Sequence, residues 1–143
     1  MSRVYAAELD AFGTTFGSQQ HGLPMSDARR LVEKYAPPGW SAVRGNSRGF
    51  GSWCPTDGTT VIRLGKYAGR PVVLHEIAHA RTPHDRGHGQ AFQLEYLRLV
   101  EQVMGRWWAG RLARCLSRHA PRGSVGAVRE WRAGRAVVSV AGG

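Results

Sequence analysis

The sequence predicts a single α+β domain, in which a small antiparallel sheet packs on a buried helix and further helices close the core. Three observations lead there. The chain has 143 residues, the usual size of one domain. Its middle, from Trp40 to Leu64, alternates short β-prone pieces with turn residues, whereas the flanking segments carry apolar residues at helical spacing. Its hydrophobic fraction is 42%, counted without glycine, which suffices for a core.

In chain order, the stretch VYAAELDAF fits a strand or a short helix equally, and the polar segment GTTFGSQQHGLP follows it. Ser26 then reads as an N-cap with Asp27 in the first turn, and Ala28, Leu31, Val32 and Tyr35 share one helical face. Pro37, Pro38 and Gly39 end that helix. In the middle region Asp57-Gly58 is a hairpin-type turn signal, and TTVIRL after it reads as a strand. Gly69, Arg70 and Pro71 introduce a helix through VVLHEIAHART, which Pro83 stops. After the loop HDRGHG, a long helix runs from about Gln90 to Met104, with Phe92, Tyr96, Leu99, Val100 and Val103 on its buried face. Gly105 breaks it, and WWAGRLARCLSR is a further helix. Beyond Pro121 the chain is rich in Gly and Arg and ends in the β-prone AVVSV. Residues 1–120 therefore read as the folded domain and 121–143 as a basic C-terminal segment.

The formal net charge is +10, carried almost wholly by Arg, with Lys only at 34 and 66. From Arg106 to Gly143 there are eight Arg and one acid, Glu130, with Trp107, Trp108 and Trp131 among them. Such a mixture can track a phosphate backbone while stacking bases, so nucleic acid is a candidate partner; a solvated, Arg-biased surface is the plainer alternative. Cys54 and Cys115 form no C-x-x-C pair and read as core residues rather than ligands or a disulfide framework. The N-terminus has no apolar run of signal-peptide length, and no stretch approaches the roughly 20 apolar residues of a membrane span. The chain reads as soluble and cytoplasmic, with no membrane partner.

The segment His75-Glu76-Ile77-Ala78-His79 is an H-E-x-x-H pattern. Residues four apart lie on one helical face, so two imidazoles can hold one zinc ion from a single rigid element. Glu76 is one residue along and can act as general base on a water at the metal. Val72, Val73, Leu74, Ile77, Ala78 and Ala80 make the rest of this helix apolar, so it should be buried. Burying two His and a Glu without partners would cost several kcal/mol, a conflict that a metal removes.

A catalytic zinc takes three protein ligands. Spacing leaves His84, Asp85, His88, Glu95 and Glu101 as candidates for the third. His84 sits in the turn after Pro83, and His88 has glycines on both sides that let the backbone come close to a metal. Glu95 and Glu101 fit the solvated face of an amphipathic helix better. His21 and His119 read as surface histidines. Tyr67 and Tyr96 are candidate hydrogen-bond donors to an oxyanion.

VVLHEIAHA followed by His88-Gly89-Gln90-Ala91-Phe92 resembles the SprT-like zinc metallopeptidases and the related WLM-type proteins. It is more similar still to small metallohydrolases of actinobacteria and their phages. The likeness covers roughly residues 71–104. It implies a zincin-like domain at 1–120 and a zinc-dependent peptidase acting on protein or peptide. It also implies His75 and His79 as the first two ligands, Glu76 as base, and His88, from the H-G-x-x-F motif, as the third. The chain departs from the group in its short gap between the motifs and in lacking a Cys-rich zinc ribbon.

Two functional classes remain. One is a metallohydrolase of amide bonds. The other is a nucleic-acid-binding or interaction module with structural zinc, which would close the fourth coordination position, most cheaply with Cys. Neither cysteine lies near the histidines in sequence, and Glu76 would then have no task, so the enzyme is the better reading.

Overall fold

The computed structural model describes residues 2–13, 22–45, 58, 60–85 and 87–142, with 135–142 described by their backbone. The elements are α1 (Arg3–Phe12), α2 (Met25–Tyr35), β1 (Ser41–Arg44), β2 (Val61–Leu64), α3 (Arg70–Arg81), α4 (Gln90–Met104), α5 (Arg106–His119) and α6 (Ser124–Gly142). The α+β class therefore stands.

The stretch that fitted strand or helix equally is α1. Ser2 caps it, its Oγ accepting from the backbone N–H of Val4 at 3.2 Å. Val4, Ala7, Glu8, Ala11 and Phe12 form its buried stripe. The carbonyls at its C-terminal end are taken by α5: Arg111 Nε donates to Ala11 O at 2.7 Å and a second guanidinium nitrogen to Asp10 O at 3.2 Å. Arg118 and His119 lie 2.9 and 3.0 Å from the Asp10 carboxylate. Guanidinium groups at the negative end of a helix are favourably placed, and these contacts fix α1 along α5.

The sheet differs from expectation. β1 and β2 pair in parallel, Ser41 with Val61 through Arg44 with Leu64, not antiparallel. A hairpin closed at Asp57-Gly58 would need the strand just before that turn. β1 lies further back, and the connection 45–60 is long enough to carry the chain back to its starting end, as parallel pairing requires. Asp57 itself lies outside the described residues. A second difference is at α2, which begins at Met25 after an extended Pro24, without a side-chain cap from Ser26.

α3 is the centre of the molecule. Residues 71–78 are all buried, which explains why its sequence is apolar on nearly every side. It packs on α4, on α2 and against β2. Arg81 at its end donates from Nε to Tyr35 O at 2.7 Å and so holds the last turn of α2.

The β-prone AVVSV is not a strand; it lies within α6. The helix starts on a packed turn: Ala127, Val128 and Trp131 are buried, and Trp131 Nε1 donates to Glu101 at 2.7 Å. Contacts made early in the helix outweigh the β propensity of its later residues. Gly123, with φ +93°, lets this turn lie on the start of α4. A Cβ there would stand 2.6 Å from the backbone nitrogen of Gln90. Cys115 is a buried free thiol, and Cys54 and His21 lie outside the described residues. Among the described residues no helix is long and apolar enough to cross a membrane.

Candidate metal centre

α3 presents His75 and His79 from one face, and the loop before α4 brings His88 to them. One ligating atom from each lies within 4.8 Å of the others, and this group can hold a metal ion. His75 Nε2 and His88 Nε2 face each other at 3.2 Å. Two nitrogens about 2.0–2.1 Å from one tetrahedral ion would stand roughly 3.3 Å apart, so the donor set fits such an ion.

The His88 loop is braced from three directions. Asp85 accepts from the backbone N–H of Gly89 at 3.2 Å and of Phe92 at 3.1 Å, capping the open start of α4. Gly89 is needed here, because a Cβ would stand 2.7 Å from Asp85 Oδ2. The fully buried Gln93 donates from Nε2 to His88 O at 2.8 Å and to Arg122 O at 2.9 Å, and its Oε1 accepts from Ser124 at 2.8 Å. The turn that opens α6 is thereby built into the support of His88. Phe92 forms an aromatic floor, its ring 4.3 Å from His79, 4.8 Å from His75 and 4.9 Å from His88.

A helix that the sequence did not assign to the site supplies its other wall. Glu8 of α1 is fully buried, and its Oε2 lies 2.8 Å from His75 Nδ1. The Tyr96 hydroxyl lies 2.7 Å from the same oxygen and 3.1 Å from Pro71 O. Glu8 Oε1 has no hydrogen-bond partner, alone in this among buried side-chain atoms of the described residues. Tyr5, one turn earlier, stacks on His75 at 5.5 Å and meets His88 edge-on at 5.3 Å. It is 39% exposed and so forms the solvent side of the cluster.

The electrostatics keep imidazole lone pairs available to a metal. Burial, then the neighbouring His75 and His88, push His79 down to about 3. Burial and His75 push His88 down to about 4. Both rings are thus held neutral, as ligands must be. At His75 burial opposes the charged ring, but the Glu8 carboxylate overcomes it and raises the pKa. Burial pushes the Glu76 carboxyl up to about 7, opposed by His75 and helped by Glu8. Two buried acids beside three imidazoles offer carboxylate oxygens and ring lone pairs to a divalent ion.

The remaining candidates lie elsewhere. His84 is exposed and outside the cluster. Asp85 is engaged as a cap. Glu95 pairs with Arg81 and Arg98, both at 3.2 Å, and Glu101 accepts from Trp131. Tyr96 is fully buried with its hydroxyl committed, so it is not free to meet a substrate. No family model, curated protein or solved structure matches the chain.

Proposed function

We propose that the chain is a zinc-dependent hydrolase of amide bonds, a zincin-like metallopeptidase of the SprT-like kind. What supports the reading is one observation, the convergence of His75, His79 and His88 beside the buried Glu76. Imidazole nitrogens suit zinc, and three protein ligands leave a fourth position for chemistry. When bound, zinc would polarise the substrate carbonyl and lower the pKa of water. Glu76 takes a proton from the attacking water and returns it to the leaving nitrogen. Tyr5 and the partly buried His79 and His88 bound the side from which a substrate would enter. Among the described residues no cysteine joins the group, which argues against a closed structural site. Purified protein is expected to carry one zinc per chain. Stripping it with a chelator should abolish cleavage of an unfolded protein substrate, and zinc should restore it. A chain that takes up no zinc from excess would overturn the reading.

Nucleic acid as an additional partner has one observation in its favour. Trp107 is 62% exposed, and the Arg111 guanidinium lies 5.8 Å over its ring, with Arg106 and Arg114 exposed on the same helix. Of the other two tryptophans in the basic C-terminal third, Trp131 is buried and Trp108 stacks on Phe12 at 5.7 Å, so Trp107 is the most open to a base. Binding to single-stranded DNA or RNA at low salt is expected, weakening steeply as salt rises. Trp107→Ala should reduce it about 5- to 100-fold, the worth of one stacked base. No shift of either nucleic acid at low ionic strength rejects this partner.

A further inference from the structure

Resting on the zinc reading, we infer that Glu8 is a positioning residue of the metal centre: it holds the proton of His75 on Nδ1, so that Nε2 presents its lone pair to the ion. The geometry is specific. Glu8 Oε2 accepts from Tyr96, whose hydroxyl also faces Pro71 O, so that oxygen is fixed in place as an acceptor. His75 Nδ1 lies 2.8 Å from it, and both side chains are buried from solvent, at 0% and 2% exposure. The opposite nitrogen, His75 Nε2, faces the cluster 3.2 Å from His88 Nε2.

The alternative tautomer explains why Glu8 matters. With the proton on Nε2, His75 would donate to His88 across that 3.2 Å gap, and the two imidazoles would satisfy each other. Both lone pairs would be lost to a metal. The Glu8 acceptor disfavours His75 as the donor in that contact before metal arrives. It also has a cost: Oε1 stays buried without a partner. An acid placed so in a purely structural core would be a liability. Behind a metal-binding imidazole it raises the basicity of the ligand and fixes the ring.

Helix α1 thereby gains a role at the site. Tyr5 and Glu8 are three residues apart on that helix and approach the face and the Nδ1 edge of the same imidazole. The grip of Arg111, Arg118 and His119 on the end of α1 therefore sets the aim of a metal ligand from outside the motif.

The test uses the full chain. Zinc affinity is measured by competition with a chromophoric chelator, and the His75 tautomer by long-range ¹H–¹⁵N spectra of the metal-free protein. Glu8→Leu is expected to weaken zinc binding about 10- to 100-fold, the usual cost of losing such a partner, and to abolish the Nδ1-protonated signature of His75. Glu8→Gln keeps an acceptor of similar shape and loses the charge. It should retain the Nδ1-protonated tautomer and lose less affinity, and the tautomer is the readout that packing alone would not set. Circular dichroism confirms folding; if Glu8→Leu does not fold, Glu8→Gln decides, and a His75 proton found on Nε2 in it with zinc affinity unchanged overturns the inference. Wild-type zinc affinity and an unchanged tautomer in folded Glu8→Leu also overturn it, while the metal centre itself stands. Wild-type protein that binds no zinc overturns the metal reading instead.

Discussion

The His75→Ala/His79→Ala protein is expected to hold no zinc and to lose all response of its melting temperature to added zinc. Both ligands come from one turn of α3, so the double variant leaves His88 alone of the three. In wild type an ion bound only to the folded chain should raise stability by about 4 kcal/mol at a thousandfold excess over its dissociation constant. The single variants separate two effects. His75→Ala leaves the buried Glu8 without its imidazole and should destabilise even the metal-free protein, by about 3–5 kcal/mol if the pair is ionised. His79 is only partly buried and its ring rests on Phe92, so His79→Ala should remove zinc at a smaller cost to the metal-free fold. His88→Ala should weaken zinc far more than His84→Ala, since His84 stands outside the cluster. Calorimetric melting with and without zinc, joined to elemental analysis, reads all of these. Full zinc occupancy in the double variant would refute the assignment.

These outcomes bear on what a sequence can carry. Two members of the cluster were legible because their signal is local, two histidines at helical spacing; the third was singled out by the resemblance, since spacing left His84, Asp85, His88, Glu95 and Glu101 open. Even the all-apolar surroundings of α3 were readable as burial. Glu8 was not, because its meaning is relational. It is an acid in the apolar stripe Val4, Ala7, Glu8, Ala11 and Phe12, but that stripe exists only once the segment is known to be helical. Its capping Ser2 was the available signal, since a serine just before an apolar helical period marks an N-terminus. Strand direction failed for a similar reason. Asp-Gly reports a local turn, whereas parallel pairing is decided by what lies at the far end of the connection. At α6, burial of Ala127, Val128 and Trp131 sets the helix, and local β propensity gives way to it.

Glu76→Gln is expected to keep zinc and fold while losing hydrolysis by about 10²- to 10⁴-fold, the range that proton transfer by a placed side chain supplies. Gln has nearly the same volume and fits the same buried position, but it cannot take the proton of the attacking water. The variant carries a second signature that needs no substrate. The Glu76 pKa in the folded metal-free chain is about 7, above the ordinary carboxyl value of 4.5. Between those values the folded state holds a proton that the unfolded state has released, so this group makes the wild type less stable as pH rises. Gln does not titrate. Metal-free Glu76→Gln should therefore gain stability relative to wild type as pH is raised from about 4.5, with the gain complete above about 7. Denaturant melts of both chain forms across that range measure it, and cleavage of a peptide library by the zinc-loaded forms measures the catalytic loss. A parallel pH dependence in the two metal-free proteins would show that Glu76 is not held as a buried acid. Wild-type turnover in the zinc-loaded variant would remove Glu76 as the base and with it the proposed mechanism.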